Sequence, residues 1–268
     1  MRRTFEEALK LGKIDIRSEY EKLYHLIYEW RNSPVAKTAR ECISENFISI
    51  RFRGTCLKLQ EFEQMHDLVF EKHPKDVDVD YLVSFCEYYV NMLYAIAIYD
   101  DLILNQIDVV IDNIGYEKTF NDEGRVIYVE KSPSAIAVAE SAQIPAELSY
   151  KVLEYNHHSL KGDIEKKKDI INKLAHLLEP RRKELDAVAP SLSSDVFFTF
   201  NKMNIRHNNV DPTDSAKYVK EVAEMNPAVL EEWYDEIYQM CLLSFLELDQ
   251  IERKKKFDML KNAVETNK

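Results

Sequence analysis

Arg206 and His207 stand side by side in the stretch FNKMNIRHNNVDPTD, residues 200–214, with Asn208 and Asn209 directly behind them. A guanidinium that holds a phosphate, next to an imidazole that moves a proton, is the least that metal-independent RNA cleavage requires. The ribose hydroxyl is then the nucleophile. Asn208 and Asn209 add hydrogen bonds for the scissile group. The same residues also fit a helix terminus. Arg and His suit the negative end of the helix dipole, Asn accepts the left-handed C-cap conformation, and Pro212 follows where Pro often does. Both readings stand at the level of the sequence.

Two further clusters carry chemistry. His157 and His158, with Asp163 and Glu165, are metal-ligand types, but neighbours on a helix point about 100° apart, and the spacing fits no common ligand set. No metal and no cofactor is expected. Lys166, Lys167, Arg181 and Arg182 head a basic run that is the candidate phosphate-contacting surface. Glu165, Asp169, Glu179, Glu184 and Asp186 alternate with them, so i,i+4 pairing on a solvated face is the competing reading. The chain has no Gly-rich phosphate loop, HExxH motif or EF-hand loop, which sets those enzyme classes aside.

Bulk properties narrow the field. The 36 basic and 47 acidic residues leave a formal charge of −11, which opposes diffuse binding to nucleic acid or to anionic membrane. Cys42, Cys56, Cys86 and Cys241 are far apart with no CxxC, and read as free thiols in a reducing compartment. The N-terminus carries Glu6 and Glu7 where a signal peptide would be apolar. The most apolar stretch, from Tyr81, is broken by Glu87, Asp100 and Asp101, too charged for a membrane span. A cytoplasmic protein with no membrane partner is expected.

The elements that must position Arg206 and His207 are mostly helices. Only 5 Gly and 8 Pro in 268 residues disfavour a loop-rich β protein. Tyr20, Leu23, Tyr24, Ile27 and Trp30 recur at helical spacing between Ser18 and Trp30. NFISIRFRG alternates as a short strand does, and CLKLQEFEQMHDLVFEKH reads as helix up to His73. A long apolar helix covers Asp80 to Ile114 with a break near Asp100. YEKTF and RVIYVE flank the turn formers NDEG and give a β-hairpin.

Beyond Pro133 the pattern is helical again. Pro145 opens one helix, and Gly162 to Val188 is amphipathic with a kink or split at Pro180. A helix capped by Ser193 or Ser194 follows, then a shorter one from Thr213 to Met225. The last begins at Pro227 and carries Trp233, Tyr234, Ile237, Cys241, Phe245 and Leu248 in register. The fold class is therefore mainly α, a helical protein with one β-hairpin and a C-terminal helical bundle. The seam at the hairpin gives an N-terminal helical region, 1–132, and a bundle, 133–268.

NKMNIRHNN followed by the long helix LEEWYDEIYQMCLLSFLELD resembles the HEPN superfamily of helical-bundle proteins. The hairpin segment NIGYEKTFNDEGRVIYVEKS is similar to the N-terminal region of AbiJ-type abortive-infection proteins. The resemblance implies a bacterial antiviral-defence protein: a homodimeric, metal-independent endoribonuclease acting on RNA, with a possible partner protein from the same defence system. Its composite site would use an Arg, an adjacent polar residue and a His a few positions on. Arg206 matches the Arg and His207 the adjacent polar position, but HNNVDPTDS holds no second His. Either His207 does the work itself, or the bundle is a non-catalytic interaction or regulatory module that binds through the helix carrying Trp233.

Overall fold

The computed structural model describes residues 14–98 and 100–266. The chain divides into two compact units, one ending at Glu130 and one beginning at Lys131, two residues before the seam read from the sequence. The architecture is mainly α with a single antiparallel hairpin among the described residues. No described helix is long and apolar enough to cross a membrane.

In the first unit, α1 (Ile16–Tyr28) starts where the Asp15 carboxylate accepts from the Ser18 amide, and it buries Tyr20, Leu23 and Ile27. Its last turn stops two residues short of Trp30, which is half-buried outside the helix. Helix α2 (Ala39–Asn46) opens on a complete capping box, Thr38 with Glu41. NFISIRFRG is not a strand. It forms two single-turn 3-10 helices, Phe47–Ser49 and Arg51–Arg53, because its buried residues Phe47 and Ile50 are three apart, the period of that helix. Helix α3 (Leu59–Met65) is much shorter than the run to His73, since Asp67 turns the chain at φ 53°.

Helices α4 (Val79–Ala95) and α5 (Asp101–Asn113) replace the single long helix. Ala97 adopts φ 56°, and the Asp100 carboxylate accepts from the amides of Leu102 and Ile103 to start α5. Strands β1 (Tyr116–Phe120) and β2 (Val126–Glu130) pair with Tyr116 opposite Glu130. Their turn needs Gly124, at φ 72°. The remaining edge of β2 is served by α4: Glu87 accepts from the Tyr128 amide, and Asn91 both accepts from and donates to the backbone of Val126. Phe85, Tyr88 and Tyr89 lie in the core as expected, whereas Tyr81 and Tyr94 are half-buried.

The second unit is a helical bundle. Helices α6 (Pro133–Ala139), capped by Ser132, and α7 (Ala146–Glu154), behind Pro145, lead to α8 (Ile164–Leu178). Pro180 splits the amphipathic run through a 3-10 turn, Glu179–Arg181, into α8 and α9 (Arg182–Val188). Helix α10 (Pro190–Lys202) begins earlier than expected, with Pro190 in its first turn. Ser193 is consequently inside the helix, its amide bonded to the Ala189 carbonyl, and does not cap it. The stretch from Thr213 yields only α11 (Lys220–Ala223). Helix α12 (Pro227–Thr266) packs on α6, α8, α9 and α10 and runs 40 residues, well past the basic block Arg253–Lys256. That block therefore does not sit at a helix end. Trp233, expected in the apolar register, is 48% exposed.

Candidate functional site

The residues from Asn204 to Asn209 form a loop closed at its base by a pair of asparagines. Helix α10 ends as the Met203 amide bonds to the Thr199 carbonyl. Asn204 then takes the left-handed conformation, φ 59°, which Asn tolerates better than most residues. The Asn204 amide donates to Asn209 Oδ1 at 3.0 Å, and the Asn209 amide donates to Asn204 Oδ1 at 3.2 Å. Asn209 Nδ2 also donates to the Lys217 carbonyl at 2.7 Å, and the Asn209 carbonyl accepts from the Val219 amide. The buried Ile205 anchors the loop from within, and the Tyr234 hydroxyl of α12 donates to the Met203 carbonyl at 3.2 Å.

This loop presents Arg206, His207 and Asn208. Arg206 is half-buried and held: its guanidinium pairs with Glu179 at 2.6 Å and makes a 3.4 Å bond to Asn201 Oδ1. The His207 ring is half-buried and has no hydrogen-bond or ion-pair partner among the described residues, while Asn208 is exposed. The four residues singled out by sequence thus divide. Asn209 is structural, Arg206 is oriented by a carboxylate and an amide, and His207 and Asn208 are left available. A capping imidazole would bond to a free helix carbonyl, and His207 does not. No protein-family model, curated protein or solved structure matches this chain.

The four cations of the basic run are each paired with neighbouring groups. Lys167 is buried, and its ammonium lies 2.8 Å from Glu231 and 2.7 Å from Asp235, both on α12. Burial opposes ionisation of Glu231, but the Lys167 ammonium and the Gly162 amide outweigh it and hold the carboxyl below its usual range. Lys166 pairs with Asp163, whose carboxyl this contact lowers. Arg181 bonds to Glu184 and to Gln143, and Arg182 lies over the Phe197 ring at 4.8 Å with Asp186 beyond. Lys167 is thus neutralised inside the bundle, while Lys166 and Arg182 keep more than half of their side chains exposed beside their carboxylates.

Asp163 caps α8 through the Lys166 amide, and His157 is engaged by Ser159 at 2.7 Å. These contacts of Asp163 and His157 are with residues no more than three positions away. Sequence reasoning missed Asn201, Asn204 and Glu179 as the residues that fix the loop. The one signal available for Asn204 was its place, five positions before a second Asn in a segment leaving a helix.

Proposed function

We propose that the chain is a HEPN-like protein of the abortive-infection type that cleaves RNA without a metal, with the loop 204–209 as its working site. The observation that carries this reading is an imidazole with no hydrogen-bond or ion-pair partner among the described residues, next to an oriented guanidinium, on a loop locked by Asn204 and Asn209. A buried lock of this kind keeps side chains where catalysis needs them.

In the proposed reaction His207 takes the proton from the ribose 2′-hydroxyl, whose oxygen attacks the adjacent phosphorus. The bond to the 5′ oxygen breaks, leaving a 2′,3′-cyclic phosphate. Arg206 balances charge on the phosphoryl oxygens, and Asn208 donates to the same group. The departing 5′ oxygen needs a proton from an acid. One loop supplies one imidazole, so the acid is His207 of a second copy, in a composite site formed by a homodimer.

The test is cleavage of a single-stranded RNA in EDTA by the native chain and by His207→Ala. Loss of a proton-transfer group lowers the rate about 10²–10⁴-fold. Because the half-buried ring has no polar partner among the described residues, the substitution is expected to change thermal stability little. Equal cleavage by both proteins overturns the reading.

A second reading rests on one observation, the exposure of Trp233 and Leu243 on the outer side of α12. In it the bundle binds a partner protein of the same defence system and cuts nothing. Absence of cleavage by the native chain favours it.

A further inference from the structure

We propose that the first unit holds a binding site for a ribonucleoside monophosphate, in the cleft between the last turns of α4, the turn of the hairpin and the 3-10 segment Phe47–Arg53. This inference rests on that unit alone and not on the ribonuclease reading. The cleft encloses about 560 Å³, inside the roughly 300–1,000 Å³ usual for small-molecule sites.

The walls of the cleft are set by the fold before any ligand arrives. Phe47 and Ile50 are buried and anchor the 3-10 segment. Arg53 commits its guanidinium to the backbone around it, donating to the carbonyl of Ile48 at 3.0 Å and to that of Cys56 at 2.6 Å. On the other side Asn91 grips the backbone of Val126 and so ties the hairpin to α4. Preformed walls lower the ordering cost of binding.

The groups that line the cleft select the ligand. Arg51 is exposed, and its side chain has no hydrogen-bond or ion-pair partner among the described residues. In a chain of net charge −11, that is a guanidinium whose planar fork is open to a phosphate. Arg125 brings a second guanidinium, 5.9 Å from the centre of the Phe52 ring. Phe52 and Tyr94, both half-buried, come from different elements and offer aromatic faces for a planar base. Ser49 Oγ donates to the Asn46 carbonyl, which leaves its lone pairs to accept from a sugar hydroxyl. A free anion would leave the rings idle, and an uncharged aromatic would leave Arg51 idle. A nucleotide uses both. Glu123, the carboxylate in the lining, pairs with Arg125 and competes with the phosphate for it.

Calorimetric titration of the full chain in EDTA with the four ribonucleoside 5′-monophosphates tests this, beside inorganic phosphate and the matching nucleosides. At least one nucleotide is expected to bind between micromolar and millimolar concentration, about tenfold or more tighter than phosphate or its own nucleoside. Arg51→Ala should keep the native circular dichroism and weaken that binding about tenfold. Glu123→Gln frees Arg125 and should tighten it, a gain that damage to the fold would not produce. No binding of any of the four, equal binding of inorganic phosphate, or an affinity that Arg51→Ala leaves intact overturns the proposal. The Arg206→Ala, His207→Ala double variant is expected to bind the nucleotide as the native chain does, so failure here and failure of cleavage are separable.

Discussion

Asn204 and Asn209 each accept the other's backbone amide through the side-chain oxygen, at 3.2 and 3.0 Å, and both are buried. The pair converts the exit of α10 into a rigid loop that carries Arg206 and His207. Asn209→Ala leaves the Asn204 amide and the Lys217 carbonyl unpaired, an expected cost of about 3 kcal/mol. Asn208→Ala, one residue earlier and exposed, is expected to stay within about 0.5 kcal/mol. Urea denaturation of the two variants checks the contrast, and equal effects would mean that the pair does not lock the loop.

Lys167 ties α8 to α12 from a buried position. Lys167→Met leaves Glu231 and Asp235 without their cation. Both keep access to water, so the expected loss is about 2 kcal/mol at neutral pH, below the 3–5 kcal/mol of a fully buried pair.

The same contact predicts a pH dependence. The Glu231 carboxyl is held below its unfolded value, so the folded state binds this proton less readily than the unfolded chain does. Its contribution is complete above the usual glutamate range and is lost as pH falls through the lowered folded value. Acid titration of stability should therefore be shallower below pH 4.5 in Lys167→Met than in the native chain. Parallel curves would contradict the linkage.

Asn91 holds the hairpin to α4 through both atoms of its amide, to the backbone N–H and carbonyl of Val126. Asn91→Ala leaves those groups on an open strand edge, with an expected loss of about 2 kcal/mol. Amide exchange should accelerate first at Val126, and unchanged protection there would remove the role assigned to Asn91.

These residues also mark how far the sequence could be read. The helices that bury one face, such as the one holding Tyr20, Leu23 and Ile27, carry the helical period and were legible. So was the hairpin, whose turn chemistry is local to Asn121 and Gly124. NFISIRFRG was not, because an alternating pattern over so few residues fits a strand and successive 3-10 turns equally, and only the absence of a strand partner decides between them. Lys167 looked like part of a surface run because Asp235, which buries and neutralises it, is 68 residues away. Arg206 and His207 were visible in the sequence as a candidate pair. The lock that positions them was not, since it depends on the left-handed backbone of Asn204.

The most direct test of the account is cleavage of total cellular RNA in EDTA by the native chain, beside an Arg206→Ala, His207→Ala double variant whose folding is verified by circular dichroism. The account predicts cleavage by the native chain, with 2′,3′-cyclic phosphate ends, and none by the folded double variant. No cleavage by the native chain, together with a loss of thermal stability in the double variant, would contradict it and leave Arg206 and His207 as structural residues of a binding protein.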